Sequence, residues 1–162
     1  MYLLFNKNNI LNILLCAFVV FVQSFAPKIY ITDSINVSLD FLLIMITFLV
    51  LLKDTFYIVF LGFFIGLLQD MVINSYAIGL CSFIKSLSVY YISKIKHNDI
   101  LWSRRYKFIY MFFIYFFHFI TYYFITSTNL SFLVFSLSFL HALSALFIFY
   151  IFEKILFNSY LL

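Results

Sequence analysis

Three ionisable side chains interrupt the apolar runs of this sequence and could do chemistry there. Lys85 lies near the centre of one run, and His118 and His141 lie within the two runs that follow. A lysine at the centre of a membrane helix costs ~3 kcal/mol, so these groups should face protein or water. They predict a buried polar cluster. It would act as a proton relay or ligand pocket or, more simply, as interhelical hydrogen bonds with Lys85 paired to an acid such as Asp70.

Two acids, Asp40 and Asp70, stand at the ends of apolar runs at similar predicted depth. A pair of carboxylates can do general acid–base work, but these two lie on separate predicted helices, and nothing else in the sequence indicates a hydrolytic site. We expect interfacial acids with structural roles. Asp70 would stay near water or cap the turn into the next helix, and Asp40 would begin its own helix.

The sequence contains none of the motifs that mark other chemistries. It has no P-loop, no HExxH, no GxSxG and no cysteine–histidine cluster with metal-ligand spacing. The two cysteines, Cys16 and Cys81, lie inside apolar runs and are interpreted as small buried hydrophobes. We therefore expect no catalytic residue, no cofactor and no metal, and the net charge of +4 is not a nucleic-acid footprint.

The composition places these residues in an integral membrane protein. Hydrophobic residues make up 66% of the 162 residues and charged residues only 10%, outside the usual range of soluble domains. The longest polar stretch runs from Lys94 to Lys107, which is too short for a soluble domain. A single transmembrane domain over residues 1–162 is the expected organisation.

Six apolar segments can cross, or nearly cross, a hydrocarbon core of ~30 Å at ~1.5 Å per residue. They cover residues 10–26, 35–52, 56–73, 76–92, 106–125 and 132–152. Six crossings would leave eight basic residues on the side of the termini and one, Lys28, on the other. The positive-inside rule then predicts an all-α protein with six transmembrane helices and both termini in the cytoplasm. The first segment also resembles a signal peptide, and its cleavage would leave five helices in unchanged orientation.

A basic loop separates the fourth and fifth predicted helices. Its sequence is KIKHNDILWSRRYK, and its cations are Lys94, Lys96, Arg104, Arg105 and Lys107. A segment that mixes charges with apolar residues in this way is expected along the cytoplasmic interface, with Trp102 at headgroup level and the cations facing anionic lipid. The loop would either set the topology alone or dock a partner.

All three glycines lie in one stretch. Gly62 and Gly66 are four residues apart and place bare backbone on one helix face, which lets another helix approach closely in a membrane. The spacing predicts helix packing within the chain or, alternatively, contact with a partner protein. Gly79, Ser82 and Ser86 mark the side of the fourth predicted helix that should turn into the bundle.

The order of these residues resembles the bacterial rod shape-determining protein MreD family. Members are small polytopic inner-membrane proteins of about this length with a basic late cytoplasmic loop. Their recognisable centre is a helix ending in Gly-x-x-x-Gly-Leu-x-x-Asp, followed by a glycine that opens the next helix. This sequence matches that pattern at Gly62, Gly66, Leu67, Asp70 and Gly79, with Leu39-Asp40-Phe41 before the preceding helix.

The resemblance implies a non-enzymatic scaffold subunit of the cell-elongation complex, which controls cell shape through peptidoglycan synthesis at the bacterial inner membrane. The partners it implies are an MreC-like protein, MreB filaments, a RodA-type glycosyltransferase and a class B penicillin-binding transpeptidase.

The resemblance also implies a fold similar to the S-components of energy-coupling-factor (ECF) transporters. The main alternative is therefore a substrate-binding S-component for vitamin or metal uptake. The first helix argues against it, because S-components carry a small-residue stripe there and this segment offers only Ala17. A membrane assembly factor unrelated to shape is the third possibility.

Overall fold

The computed structural model describes residues 9–25, 29–32, 35–37, 39–73, 78–126 and 132–157. Within them lie six helices: α1 (Asn9–Ser24), α2 (Phe41–Leu52), α3 (Thr55–Ile73), α4 (Leu80–His97), α5 (Arg104–Thr126) and α6 (Phe132–Phe157). Two short strands, β1 (Ile29–Thr32) and β2 (Ile35–Val37), form an antiparallel hairpin between α1 and α2. The helical architecture predicted from the sequence is confirmed.

Three of the described helices are long and apolar enough to cross a membrane. They are α3, α5 and α6, with apolar spans over Thr55–Val72, Arg104–Thr126 and Phe132–Ile155. Shorter apolar segments lie in α1 and α2, over Ile13–Ser24 and Phe41–Leu52. With 12 residues, α2 is ~18 Å long, well short of a ~30 Å hydrocarbon core.

Two of the predicted helices begin later than the apolar pattern indicated. The segment 35–52 is helical only from Phe41, because residues 35–37 pair with β1 and Asp40 caps the helix start. Isoleucine and valine favour such extended backbone. The segment 76–92 becomes α4, which begins after Gly79, a residue with a φ of 97°, and continues to His97.

The predicted basic loop is largely helical. The last turn of α4 and the beginning of α5 carry the five cations assigned to it, and only residues 98–103 link the two helices. Cations in a last helical turn interact favourably with the helix dipole, which helps α4 to extend beyond its predicted end. The segment is therefore a tight helical connection.

The core is organised around α2. Eight of its twelve residues are buried: Leu42, Leu43, Ile44, Ile46, Thr47, Phe48, Leu49 and Val50. It packs against α1, α3, α4 and α6, and Thr47 accepts a hydrogen bond of 2.9 Å from the Tyr115 hydroxyl of α5. A helix that is apolar around most of its surface is stable only when other elements enclose it.

Most of the described basic residues lie at one end of the bundle. Lys96 Nζ donates to the carbonyl oxygen of Lys53 at 2.9 Å, which joins the end of α4 to the end of α2. Arg104 Nη2 lies 3.5 Å from Glu153 Oε2, which joins α5 to α6. We call this the basic end. It holds seven of the eight lysines and arginines that the structure describes: Lys53, Lys94, Lys96, Arg104, Arg105, Lys107 and Lys154.

Candidate functional site

The start of α2 holds a buried aspartate with two kinds of partner. Asp40 is 8% exposed, and its Oδ1 accepts a hydrogen bond of 3.0 Å from the backbone N–H of Leu43. This contact is a helix N-cap. The other carboxylate oxygen, Oδ2, forms an ion pair with the ammonium group of Lys85 on α4, whose side chain is also buried. One carboxylate thus begins α2 and neutralises the lysine.

Three further polar side chains surround this pair. Gln23 Nε2 of α1 donates to Asp40 Oδ1 at 3.4 Å, and Gln23 Oε1 accepts the backbone N–H of Leu42 at 3.2 Å. His118 Nε2 of α5 lies 3.7 Å from Asp40 Oδ2, and its Nδ1 lies 3.0 Å from the Ser88 hydroxyl oxygen. We call the set the Asp40 cluster: Gln23, Asp40, Lys85, Ser88 and His118.

The Asp40 cluster is buried near the end of the bundle opposite the basic end. Gln23 is one residue before the end of α1, and Asp40 immediately precedes α2. Lys85 is 0% exposed. A buried charge is tolerated only when an opposite charge and hydrogen bonds compensate it, and the cluster supplies both from four helices.

The structure confirms the expected pairing of Lys85 with an acid, but the acid is Asp40 and not Asp70, the example that the sequence suggested. Asp70 is turned instead to the backbone at the start of α4, so its two oxygens are already occupied. The capping role offered for Asp70 is confirmed, and both acids are buried in protein.

His141 lies beside the Asp40 cluster. Its ring stacks on Phe119, with 3.8 Å between ring centroids, and its Nδ1 lies 2.9 Å from the Tyr123 hydroxyl oxygen. The Phe119 ring also contacts His118 edge-on at 5.1 Å. The structure therefore joins Lys85 and His118 directly through Asp40, and His141 follows them through a layer of aromatic rings.

A second polar site joins the end of α3 to the start of α4. Asp70 is fully buried and accepts hydrogen bonds from the backbone N–H groups of Gly79 at 2.9 Å, Cys81 at 3.2 Å and Ser82 at 3.4 Å. The first N–H groups of a helix have no partner within it, so Asp70 caps α4 from a neighbouring helix. We call Gly66, Asp70, Gly79 and Ser82 the Gly66–Asp70 corner.

The two glycines of α3 differ in how closely α4 approaches them. A Cβ atom added at Gly66 would lie 2.4 Å from Ser82 Cα and 2.8 Å from Ser82 N, so no side chain fits there. A Cβ at Gly62 would meet the Val89 side chain at 3.5 Å, an ordinary contact. The close helix approach that was predicted for both glycines therefore requires a glycine at Gly66 but not at Gly62.

Several buried polar residues were not predicted from the sequence. Gln23 and Ser88 belong to the Asp40 cluster, and Glu153 is buried beside Arg104. A signal was present for Gln23 and Glu153, because each interrupts an apolar run in which a polar side chain is costly. No comparable signal marked Ser88, since a serine can hydrogen-bond its own helix, as Ser88 does to the Ile84 carbonyl oxygen.

The contacts at the two sites join helices to one another. Asp40 and Lys85 neutralise each other, and Asp70 accepts from the backbone at the start of α4 and lies beside the Cys81 thiol. Within the described residues, no three histidine, cysteine or acidic side chains converge as metal ligands. Comparison with known proteins adds no family: no family model, curated protein or solved structure matches this chain.

Proposed function

We propose that this chain is a membrane scaffold subunit of the bacterial cell-elongation complex, related to the MreD family. The main support is the Gly66–Asp70 corner. Gly66, Asp70 and Gly79 carry the resemblance to that family, and in the structure they form one packed junction between α3 and α4. A sequence pattern whose members serve a single structural purpose is stronger support than the same residues scattered over the fold.

In this proposal all six helices cross the inner membrane, with both termini in the cytoplasm. The basic end supports this orientation, because seven of the eight described cations gather there and positive charge favours the cytoplasmic side. The short α2 is accommodated because its neighbours cover it. Backbone and polar groups are tolerated at membrane depth where protein rather than lipid surrounds them.

The scaffold would act by presenting rigid helix faces to other membrane proteins. The Asp40 cluster fixes α1, α2, α4 and α5 relative to one another, and the Gly66–Asp70 corner fixes α3 against α4. The partners we propose are an MreC-like protein, a RodA-type glycosyltransferase and a class B penicillin-binding transpeptidase. MreB filaments would meet the basic end, which faces the cytoplasm.

A substrate-binding S-component of an ECF-type transporter is the second candidate. The Asp40 cluster favours it, because charged and hydrogen-bonding groups from four helices meet inside the bundle, where a small polar ligand would be held. Such a ligand would have to compete with the internal ion pair. The scaffold proposal requires only that the pair stay intact.

Deletion of the gene in its own host, or depletion in a rod-shaped one, tests the proposal. We expect rounded cells that regain rod shape with the wild-type gene and with Gly62→Ala, but not with Gly66→Val, because α4 leaves no room at that position. Immunoblots of membranes show whether each variant accumulates. Normal shape after clean deletion contradicts the scaffold proposal, and normal shape with loss of vitamin or metal uptake supports the S-component.

A further inference from the structure

A groove runs between α4 and α5 on the outer surface of the bundle. Its volume is about 310 Å³, and its lining is Leu87, Ser88, Tyr91, Tyr110, Phe113, Ile114 and Phe117. Phe113 and Phe117 are largely exposed, so the groove opens sideways, away from the core. The lining is apolar apart from one serine and the two tyrosine hydroxyls, and it suits a hydrocarbon chain.

A cation and aromatic rings flank the groove toward the basic end. Lys94 Nζ lies 5.0 Å from the ring centroid of Tyr91 and 5.7 Å from that of Tyr90. On the opposite wall, the ring of Trp102 lies 4.9 Å from that of Tyr110. Tyrosine, tryptophan and lysine side chains favour the level of lipid headgroups, where a polar tip meets water and the body of the side chain meets hydrocarbon.

Within the part of the chain that the structure describes, no acidic group neutralises the charge of Lys94. In residues 39–73, 78–126 and 132–157, no carboxylate lies within ion-pair distance of its ammonium group, whereas Lys107 pairs with Asp99 and Arg104 with Glu153. A free positive charge beside an apolar groove complements a molecule with an anionic head and an apolar tail. Lysines near a membrane surface attract anionic lipids in this way.

We propose that this groove binds one anionic phospholipid, with the phosphate at Lys94 and an acyl chain between α4 and α5. The direction of the groove fits that molecule. Ser88 lies six residues before Lys94 on α4, so the groove reaches ~9 Å deeper than the cation. The headgroup would thus lie at the membrane surface on the side of the basic end, and the acyl chain would extend from there toward the membrane centre. The proposal requires that α4 and α5 cross a membrane and is independent of any role in cell shape.

Native mass spectrometry of the full-length chain in mild detergent tests the site, with phosphatidylglycerol and phosphatidylcholine as probes. We expect one tightly retained phosphatidylglycerol. Lys94→Gln should lower its retention about fivefold, since one cation near the surface is worth about that much. Leu87→Trp, which fills the groove, should lower it at least as far.

Two matched variants serve as controls. Lys154→Gln removes another exposed cation of the basic end, and Leu143→Trp fills a different groove, lined by Phe108, Leu143, Leu146, Phe147 and Tyr150. Both should retain phosphatidylglycerol like the unmodified chain. Melting temperatures of all four variants, measured without added lipid, verify that the bundle is folded.

Three outcomes would overturn the proposal. Equal retention by the folded Lys94→Gln, Leu87→Trp and control variants means that lipid only surrounds the bundle nonspecifically. Equal binding of phosphatidylcholine and phosphatidylglycerol removes the role of the phosphate charge. Loss of a co-purifying membrane protein from the Lys94→Gln and Leu87→Trp variants, with lipid retention unchanged, identifies the groove as a protein docking face. None of these outcomes bears on whether gene deletion rounds the cells.

Discussion

The Gly66–Asp70 corner and the Asp40 cluster each bury an aspartate that caps the start of a helix, but they are built from different groups. Asp70 accepts from backbone N–H groups that follow it by 9 to 12 residues. Asp40 caps its own helix and also depends on the side chain of Lys85, 45 residues away. Backbone donors survive almost any substitution, whereas one mutation removes the lysine. The cluster should therefore be the more fragile site.

The largest expected effect comes from removing the cation of the cluster. Lys85→Met leaves the Asp40 carboxylate buried without its counter-charge, and we expect the free energy of unfolding to fall by about 3–5 kcal/mol. The double variant Asp40→Asn with Lys85→Met should recover most of this loss, because no charge then remains unpaired and asparagine still caps α2. Unfolding in detergent, followed by circular dichroism, measures both.

Lys94→Met is the matched control for Lys85→Met, because Lys94 lies on the same helix but is exposed. Its effect should stay within about 0.5 kcal/mol. If Lys85→Met unfolds like the unmodified protein, the ion pair contributes nothing to stability and the supposed fragility of the cluster is refuted.

A smaller loss is expected from crowding the corner. Gly66→Ala forces α3 and α4 apart, because the added methyl group would overlap the Ser82 backbone, and overpacking of this kind costs about 1–3 kcal/mol. Gly62→Ala should be neutral or stabilising, since the methyl group fits against Val89 and alanine favours helix. Thermal unfolding of the two variants side by side measures the difference. Equal destabilisation would show that the close approach is not specific to Gly66.

The smallest of these effects is expected from the cap itself. Asp70→Ala should cost about 1–2 kcal/mol, the usual value of a lost helix cap, and Asp70→Asn less, because one amide oxygen still accepts. Hydrogen exchange should quicken at the amides of Gly79, Cys81 and Ser82, which lose their acceptor. A loss as large as that of Lys85→Met would mean that Asp70 stabilises more than a helix start, and the contrast between the sites would fail.

The difference between local and long-range contacts also explains which features could be predicted from the sequence. The corner is local: a glycine one turn before an aspartate, a short link, and a second glycine at the next helix start. Capping chemistry acts over a few residues, so its participants stand close together in the chain. The six apolar runs likewise predicted six helices, because the length and the hydrophobic pattern of a run depend only on the residues of that segment.

Local sequence patterns could not identify the partner of Lys85. Asp40 and Asp70 were both plausible by charge and depth, and the choice depends on how α2 packs among the other helices. The late start of α2 was missed for a related reason. Residues 35–37 are apolar enough to continue a helix, and only pairing with β1 makes them extended. Asp40, a preferred N-cap residue, was expected to begin its helix, and the structure confirms that role, although the apolar run had been drawn from residue 35.

The shortness of α2 has a consequence for how the protein is made. Its acid emerges from the ribosome 45 residues before the lysine that neutralises it. In the proposed six-span topology, α2 is too short to cross the bilayer unaided and begins with an uncompensated charge until α4 follows, so it should insert stably only when α4 arrives. We expect chains truncated after α3 to be cleared by membrane proteases. The ion pair can thus form, and stabilise α2, only after the ribosome has synthesised α4.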